Sequence, residues 1–190
     1  MTVFEFVFSL ISVITSLALT RLLSGFTDLY RHTERVRWSW RHAFWTAIAF
    51  MLLIGNWAAF WRQHATTEWG ALDVLLQLVF LSVLYVLCDL VMPDMPAGDE
   101  ILDLRVFHER QGKRYVLAQM LFAALAILLI ARETSGFGQC VESARYPITG
   151  VLLGVIALRA RSVWLDTAAA AGMALLAAVY MMGRLHLLAF

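Results

Sequence analysis

The chain has 190 residues, a formal net charge of +1, 61% hydrophobic residues and 15% charged ones. A soluble domain carries about 45–50% apolar and about 25% charged residues, so this chain holds more apolar side chain than a water-soluble core of its size can bury. The near-zero charge excludes the basic field of a nucleic-acid binder. The composition instead predicts an all-α integral membrane protein: a bundle of about six transmembrane helices joined by short loops, with the lipid bilayer as its solvent.

A membrane helix needs about 20 predominantly apolar residues. The first such segment covers 3–26. No basic stretch precedes it, as one would in a secretory signal, so it reads as a retained helix. The second covers 43–61 and the third 71–92, where Pro93 stops the backbone ladder. The stretch 93–114 reads as a cytoplasmic loop. It is turn-rich at Pro93-Asp94-Met95-Pro96-Ala97-Gly98 and then carries a short amphipathic piece over 99–107 suited to a membrane surface. The fourth segment covers 115–131. The fifth, 147–158, is short and has Pro147 in its first turn, and the sixth covers 163–189. Residues 1–190 thus form a single membrane domain. The runs are continuous, unlike the alternating ten-residue strands of a membrane barrel, and helices satisfy their own backbone groups in hydrocarbon.

Orientation follows from arginine and lysine in the short loops. The first loop has Arg31, Arg35, Arg37 and Arg41; the third has Arg105, Arg110, Lys113 and Arg114; the fifth has Arg159 and Arg161. The second has Arg62, and the fourth has Arg132 and Arg145. Odd loops are therefore expected inside and both termini outside; a re-entrant fifth segment would move the C-terminus inside. Trp38, Trp40 and Trp45 at one end of the second segment, and Trp57, Trp61 and Trp69 at the other, read as interfacial belts.

The most informative polar pattern lies on the first segment. At 100° per residue, Thr2, Glu5, Ser9, Ser12, Ser16, Thr20 and Thr27 share about a quarter of the circumference. Small hydroxylated residues let membrane helices approach and cross-bond. The same residues around a pore, with a carboxylate at its mouth, favour cations. Both readings stay open from sequence.

Charges inside apolar segments usually face the bundle interior and pair. Arg21 is expected to pair with Asp28 or Asp89, and Arg184 with Glu5 or Asp73. Arg132 and Asp166 are expected to reach toward water instead. Asp73 and Gln77 stand one turn apart and are expected to face one cavity, while Asn56 is expected to bond between helices.

His32, His42, His64, His108 and His186 are scattered and read as solvated or interfacial. No helical metal spacing, bis-histidine haem pair, hydrolase elbow or phosphate loop is present. Cys88 and Cys140 map near opposite faces, which argues against a disulfide between them. No catalytic residue, metal or cofactor is therefore expected, and the chain does not read as an enzyme.

Phe4-Glu5-Phe6 through Thr20-Arg21-Leu22-Leu23-Ser24-Gly25, the Trp57/Trp61 pair and Pro93-Asp94 resemble small polytopic bacterial inner-membrane proteins. The resemblance implies a multi-pass location in the inner (plasma) membrane and carries over no site. The leading functional expectation is an ion channel: a homo-oligomer with a cation path lined by Glu5, Ser9, Ser12, Ser16 and Thr20. The alternative is a non-conducting structural or sensory subunit. In that reading Arg31, Arg35, Arg37, Arg41, Arg110, Lys113 and Arg114 hold anionic lipid headgroups or a cytosolic protein partner. A third reading is a lipid-modifying enzyme using Glu5, Asp73 and Arg184.

Overall fold

The computed structural model describes residues 3–61, 70–98 and 100–186. Helices α1 (Val3–Arg31), α2 (Trp40–Trp61), α3 (Ala71–Val91), α4 (Leu104–Glu133), α5 (Phe137–Ser143), α6 (Arg145–Arg159) and α7 (Val163–His186) make up almost all of it. A 3₁₀ turn at Thr33–Arg35 leads into β1 (Val36–Arg37), which pairs in parallel with β2 (Leu102–Asp103). Helices α1, α2, α3, α4 and α7 are each long and apolar enough to cross a membrane. Helices α5 and α6 meet at a 66° bend and make a sixth such unit only if taken together. The fifth sequence segment is thus the second half of a broken pair, not one straight helix.

The long helices run up and down. Six of them close a ring in the order α1, α3, α4, α6, α7, α2, and α2 also touches α3 and α4 across the middle. That central position explains why residues on several sides of α2 are buried, including Trp45, Ile48, Ala49, Leu53, Gly55 and Ala58. On α1 the buried face is Val7, Ile11, Ala18, Leu22 and Leu29, at helical spacing. Its outward side stays apolar through Phe6, Val13, Leu17, Leu23 and Phe26. Close approach depends on glycine in places. A Cβ on Gly55 would stand 2.9 Å from the Tyr180 ring, and one on Gly154 would stand 2.6 Å from Met120 Cγ. Small residues at such crossings set how near two helices come.

The structure corrects the reading of 93–114. Helix α4 begins at Leu104, not at 115, so the polar stretch 104–114 is its first three turns. The Asp103 carboxylate caps it, accepting from the backbone N–H groups of Arg105 at 2.8 Å and Val106 at 3.3 Å. With 30 residues, α4 spans about 45 Å, well over the roughly 30 Å of a hydrocarbon core. The remaining loop is tied down by the two-residue ladder, by Arg35 donating to the carbonyls of Pro96 and Glu100 at 3.2 Å each, and by a small apolar cluster of Leu29, Val36 and Leu104.

Candidate functional site

The up-and-down order brings the starts of α2, α4 and α7 to one end of the bundle, the end that also carries the arginine-rich loops. There Arg41 of α2, His108 of α4 and Asp166 of α7 converge. Arg41 Nη1 donates to Asp166 Oδ2 at 3.0 Å, and His108 Nε2 lies 2.8 Å from the same oxygen. The Tyr115 hydroxyl, two turns along α4, bonds His108 Nδ1. Glu109 stands 3.7 Å from Arg41 on the outer side. The side chains of Arg41 and Asp166 are 9% and 16% exposed, and Trp45, against the Tyr115 ring at 5.1 Å, is fully buried.

Roles follow from donor counting. As a carboxylate ion-paired to Arg41, Asp166 only accepts, so His108 Nε2–H donates to it. In the neutral imidazole His108 Nδ1 is then the acceptor for Tyr115 O–H. Gly112 gives the imidazole its room: a Cβ there would lie 3.3 Å from Nε2. His108, Gly112, Tyr115 and Gln119 occupy one face of α4, within a sector of about 60° at 100° per residue. Gln119 is buried and lines a cavity of about 90 Å³ among α2, α4, α6 and α7. That cavity runs past Asn56 and Tyr180 to Arg184, toward the opposite end of the bundle. The chain therefore holds a hydrogen-bonded titratable line at one end and a mixed polar and apolar cavity on the far side of Gln119.

Compared with known proteins, the chain matches no family model, no curated protein and no solved structure. Chemistry has to be argued from the site itself. Among the described residues no three His, Cys, Asp or Glu side chains gather as a metal-ligand set. The third member beside His108 and Asp166 is a guanidinium, which repels a cation.

Several sequence expectations change here. His42 and His108 are buried, not solvated: His42 sits edge-on to Phe107 at 5.6 Å and near the Thr46 hydroxyl at 3.4 Å. Asp166 turns inward to Arg41 instead of reaching for water, because α2 and α4 present a guanidinium and an imidazole to it. Arg41 is accordingly inside the bundle, whereas Arg31, Arg110, Lys113 and Arg114 are exposed. Arg35 is held by loop carbonyls, and Arg37 faces Asp103 at 3.9 Å. Trp45 belongs to the core and not to an interfacial belt, while Trp38, Trp40, Trp57 and Trp61 are exposed. Arg62, His64 and Trp69 lie outside the described residues.

Arg21 takes Asp89 at 2.7 Å as its inner partner, with Asp94 at 2.8 Å, and Asp28 is on the exposed side of α1. At the other end Asp73 pairs with Arg132 at 2.7 Å, not with Arg184. Arg184 instead lies over the Tyr180 ring, 5.2 Å from its centroid. Gln77 is half-buried one turn beyond Asp73. Asn56 donates to Leu52 O at 2.8 Å and accepts from Tyr180 O–H at 3.4 Å, a bond between α2 and α7.

The first-helix stripe does not pack within the bundle. Glu5, Ser9, Ser16 and Thr20 are exposed and Ser12 is half-buried in a groove against Leu53 and Trp57 of α2. Ser9 and Thr20 donate to their own backbone carbonyls, those of Glu5 at 2.7 Å and Ser16 at 2.8 Å.

The convergence of Arg41, His108, Tyr115 and Asp166 is what sequence reasoning missed. A signal existed for half of it: His108, Gly112, Tyr115 and Gln119 form a polar-and-small face once helix is granted to 104–114.

Proposed function

We propose that this chain is a multi-pass membrane protein that conducts protons through the interior of its own helix bundle, with the arginine-rich end cytoplasmic. The membrane assignment rests on the length and apolarity of five helices and on an exterior rich in Leu, Val and Phe. The orientation rests on the arginine and lysine bias of the loops. The observation that carries the activity is the buried line Asp166–His108–Tyr115. Ionisable groups held inside an apolar bundle are costly and mark ion paths and proton relays. In this reading the Tyr115 hydroxyl gives its proton to His108 Nδ1 as His108 Nε2–H gives one to the Asp166 carboxylate, and Tyr115 takes a replacement proton from the side of the cavity beyond Gln119. Asp166 then releases its proton at the arginine-rich end. Arg41 positions Asp166 and places a fixed positive charge at that end, which disfavours metal cations.

The test is proton uptake into liposomes containing the purified chain, read with an enclosed pH dye under a potassium diffusion potential. Wild type should acidify the lumen above the protein-free leak. Tyr115→Phe keeps the ring packed on Trp45 but breaks the relay, and should return uptake to that leak, as should His108→Gln. Wild-type uptake equal to the leak, or full uptake in Tyr115→Phe, would refute the relay.

A second reading rests on α1. Most of its stripe is exposed, and the Ser9 and Thr20 hydroxyl hydrogens are spent on the backbone, which leaves their oxygens as acceptors. Copies assembled through α1 would set Ser9, Ser12, Ser16 and Thr20 around a shared cation path with Glu5 at its mouth. Here Glu5→Gln should abolish selectivity for potassium over chloride, and Ser12→Leu should reduce flux with insertion unchanged. Unaltered selectivity and flux in both variants would remove this reading.

A further inference from the structure

The cavity among α2, α4, α6 and α7 plays no part in the ion pairs of the bundle, yet its polar lining is unevenly satisfied. Gln119, at 4% exposure, has its Oε1 without a hydrogen-bond partner among the described residues. A buried acceptor left this way is unfavourable unless something bound supplies a donor. At the far side, Arg184 lines the same cavity. Its guanidinium lies over the Tyr180 ring and makes no ion pair among the described residues. Between them the wall is apolar, with Leu52, Phe80 and Phe122 among its residues. The volume, about 90 Å³, is roughly six to nine times the ~10–15 Å³ that one water needs.

We infer that this cavity binds a small organic anion whose carboxylate lies at Arg184, whose short apolar stem lies along the phenylalanine wall, and whose terminal hydroxyl donates to Gln119. Each part of the ligand answers one part of the wall. Arg184 feels the Glu133 carboxylate without an ion-pair contact to it, and its guanidinium matches a ligand carboxylate in its planar fork. The unmet carbonyl oxygen selects a neutral donor, because no carboxylate stands beside Gln119 to balance an ammonium. Tyr180 and Asn56, bonded to each other, hold the guanidinium side of the mouth in place. The glycines of α6 make the depth possible: a Cβ on Gly150 would lie 3.1 Å from the Gln119 amide nitrogen. The cavity is also the far end of the proposed proton path, but ligand binding is read as heat and not as proton uptake, so either reading can fail alone.

The test is isothermal titration of the full-length chain in detergent micelles with 4-hydroxybutyrate, butyrate and 1-butanol. The hydroxy acid should bind saturably and most tightly. Removing the hydroxyl should weaken binding about tenfold, and removing the carboxylate should weaken it by at least as much. Arg184→Gln should erase the preference for acid over alcohol, and Arg184→Lys should restore part of it. Gln119→Leu should erase the preference for hydroxy acid over butyrate while acid binding persists. Thermal melting of each variant shows that it is folded. No saturable heat with any acid, or preferences unchanged in folded Arg184→Gln and Gln119→Leu, overturns the inference.

Discussion

Replacing Asp166 with alanine is expected to destabilise the chain by about 3–5 kcal/mol, the largest loss from any single substitution considered. The change leaves Arg41, 9% exposed at its side chain, as a buried guanidinium without its carboxylate. It also leaves His108 Nε2 without its acceptor. Glu109 does not compensate, since it stands 3.7 Å away and is itself well exposed. A double variant, Arg41→Met with Asp166→Leu, is expected to recover most of the loss, because it removes both charges and fills the space with apolar atoms. Thermal unfolding in detergent reads both. A fall on the order of 10 °C for Asp166→Ala, largely reversed in the double variant, is the expected pattern. A fall of a degree or two would mean that the cluster is open to water and would remove the physical basis of the relay.

Gly55→Val should have the second largest effect, about 1–3 kcal/mol. The Cβ alone would stand 2.9 Å from the Tyr180 ring and 3.3 Å from the Met181 backbone, so α7 must move away from α2. That movement also opens the bond between Asn56 and Tyr180 and reshapes the cavity mouth. Gly154→Val serves as the comparison. Its Cβ meets Met120 Cγ at 2.6 Å, a nearer but flexible neighbour that can change rotamer. Melting should therefore rank Gly55→Val below Gly154→Val in stability. The reverse order would show that α6 against α4, and not α7 against α2, is the tighter crossing.

The helical class and the position of most helices were legible along the chain. Long apolar runs state them directly, Pro93 marks the end of α3, and the arginine-rich loops mark the end of the bundle at which they lie. Each depends only on neighbours within a few residues. The start of α4 was legible in principle from Asp103, whose carboxylate caps the first turn, but the charge of 104–114 reads as loop when segments are found by apolarity alone.

Partner choice was not local. Asp73 was expected to meet Arg184 and meets Arg132 instead, and of the two partners expected for Arg21, Asp28 and Asp89, it takes Asp89. Only the ring order of the helices and their axial offsets decide which charges come within reach, and those follow from packing summed over whole faces. The same holds for the site. Arg41, His108 and Asp166 are far apart in sequence, and His108 on its own resembles any histidine in a polar stretch. What the sequence by itself determined is a chain of apolar helices with one basic end. What only the tertiary structure decided is that three of those helices begin with an arginine, a histidine and an aspartate that must share one dry space, because a charge buried there is stable only beside its partners.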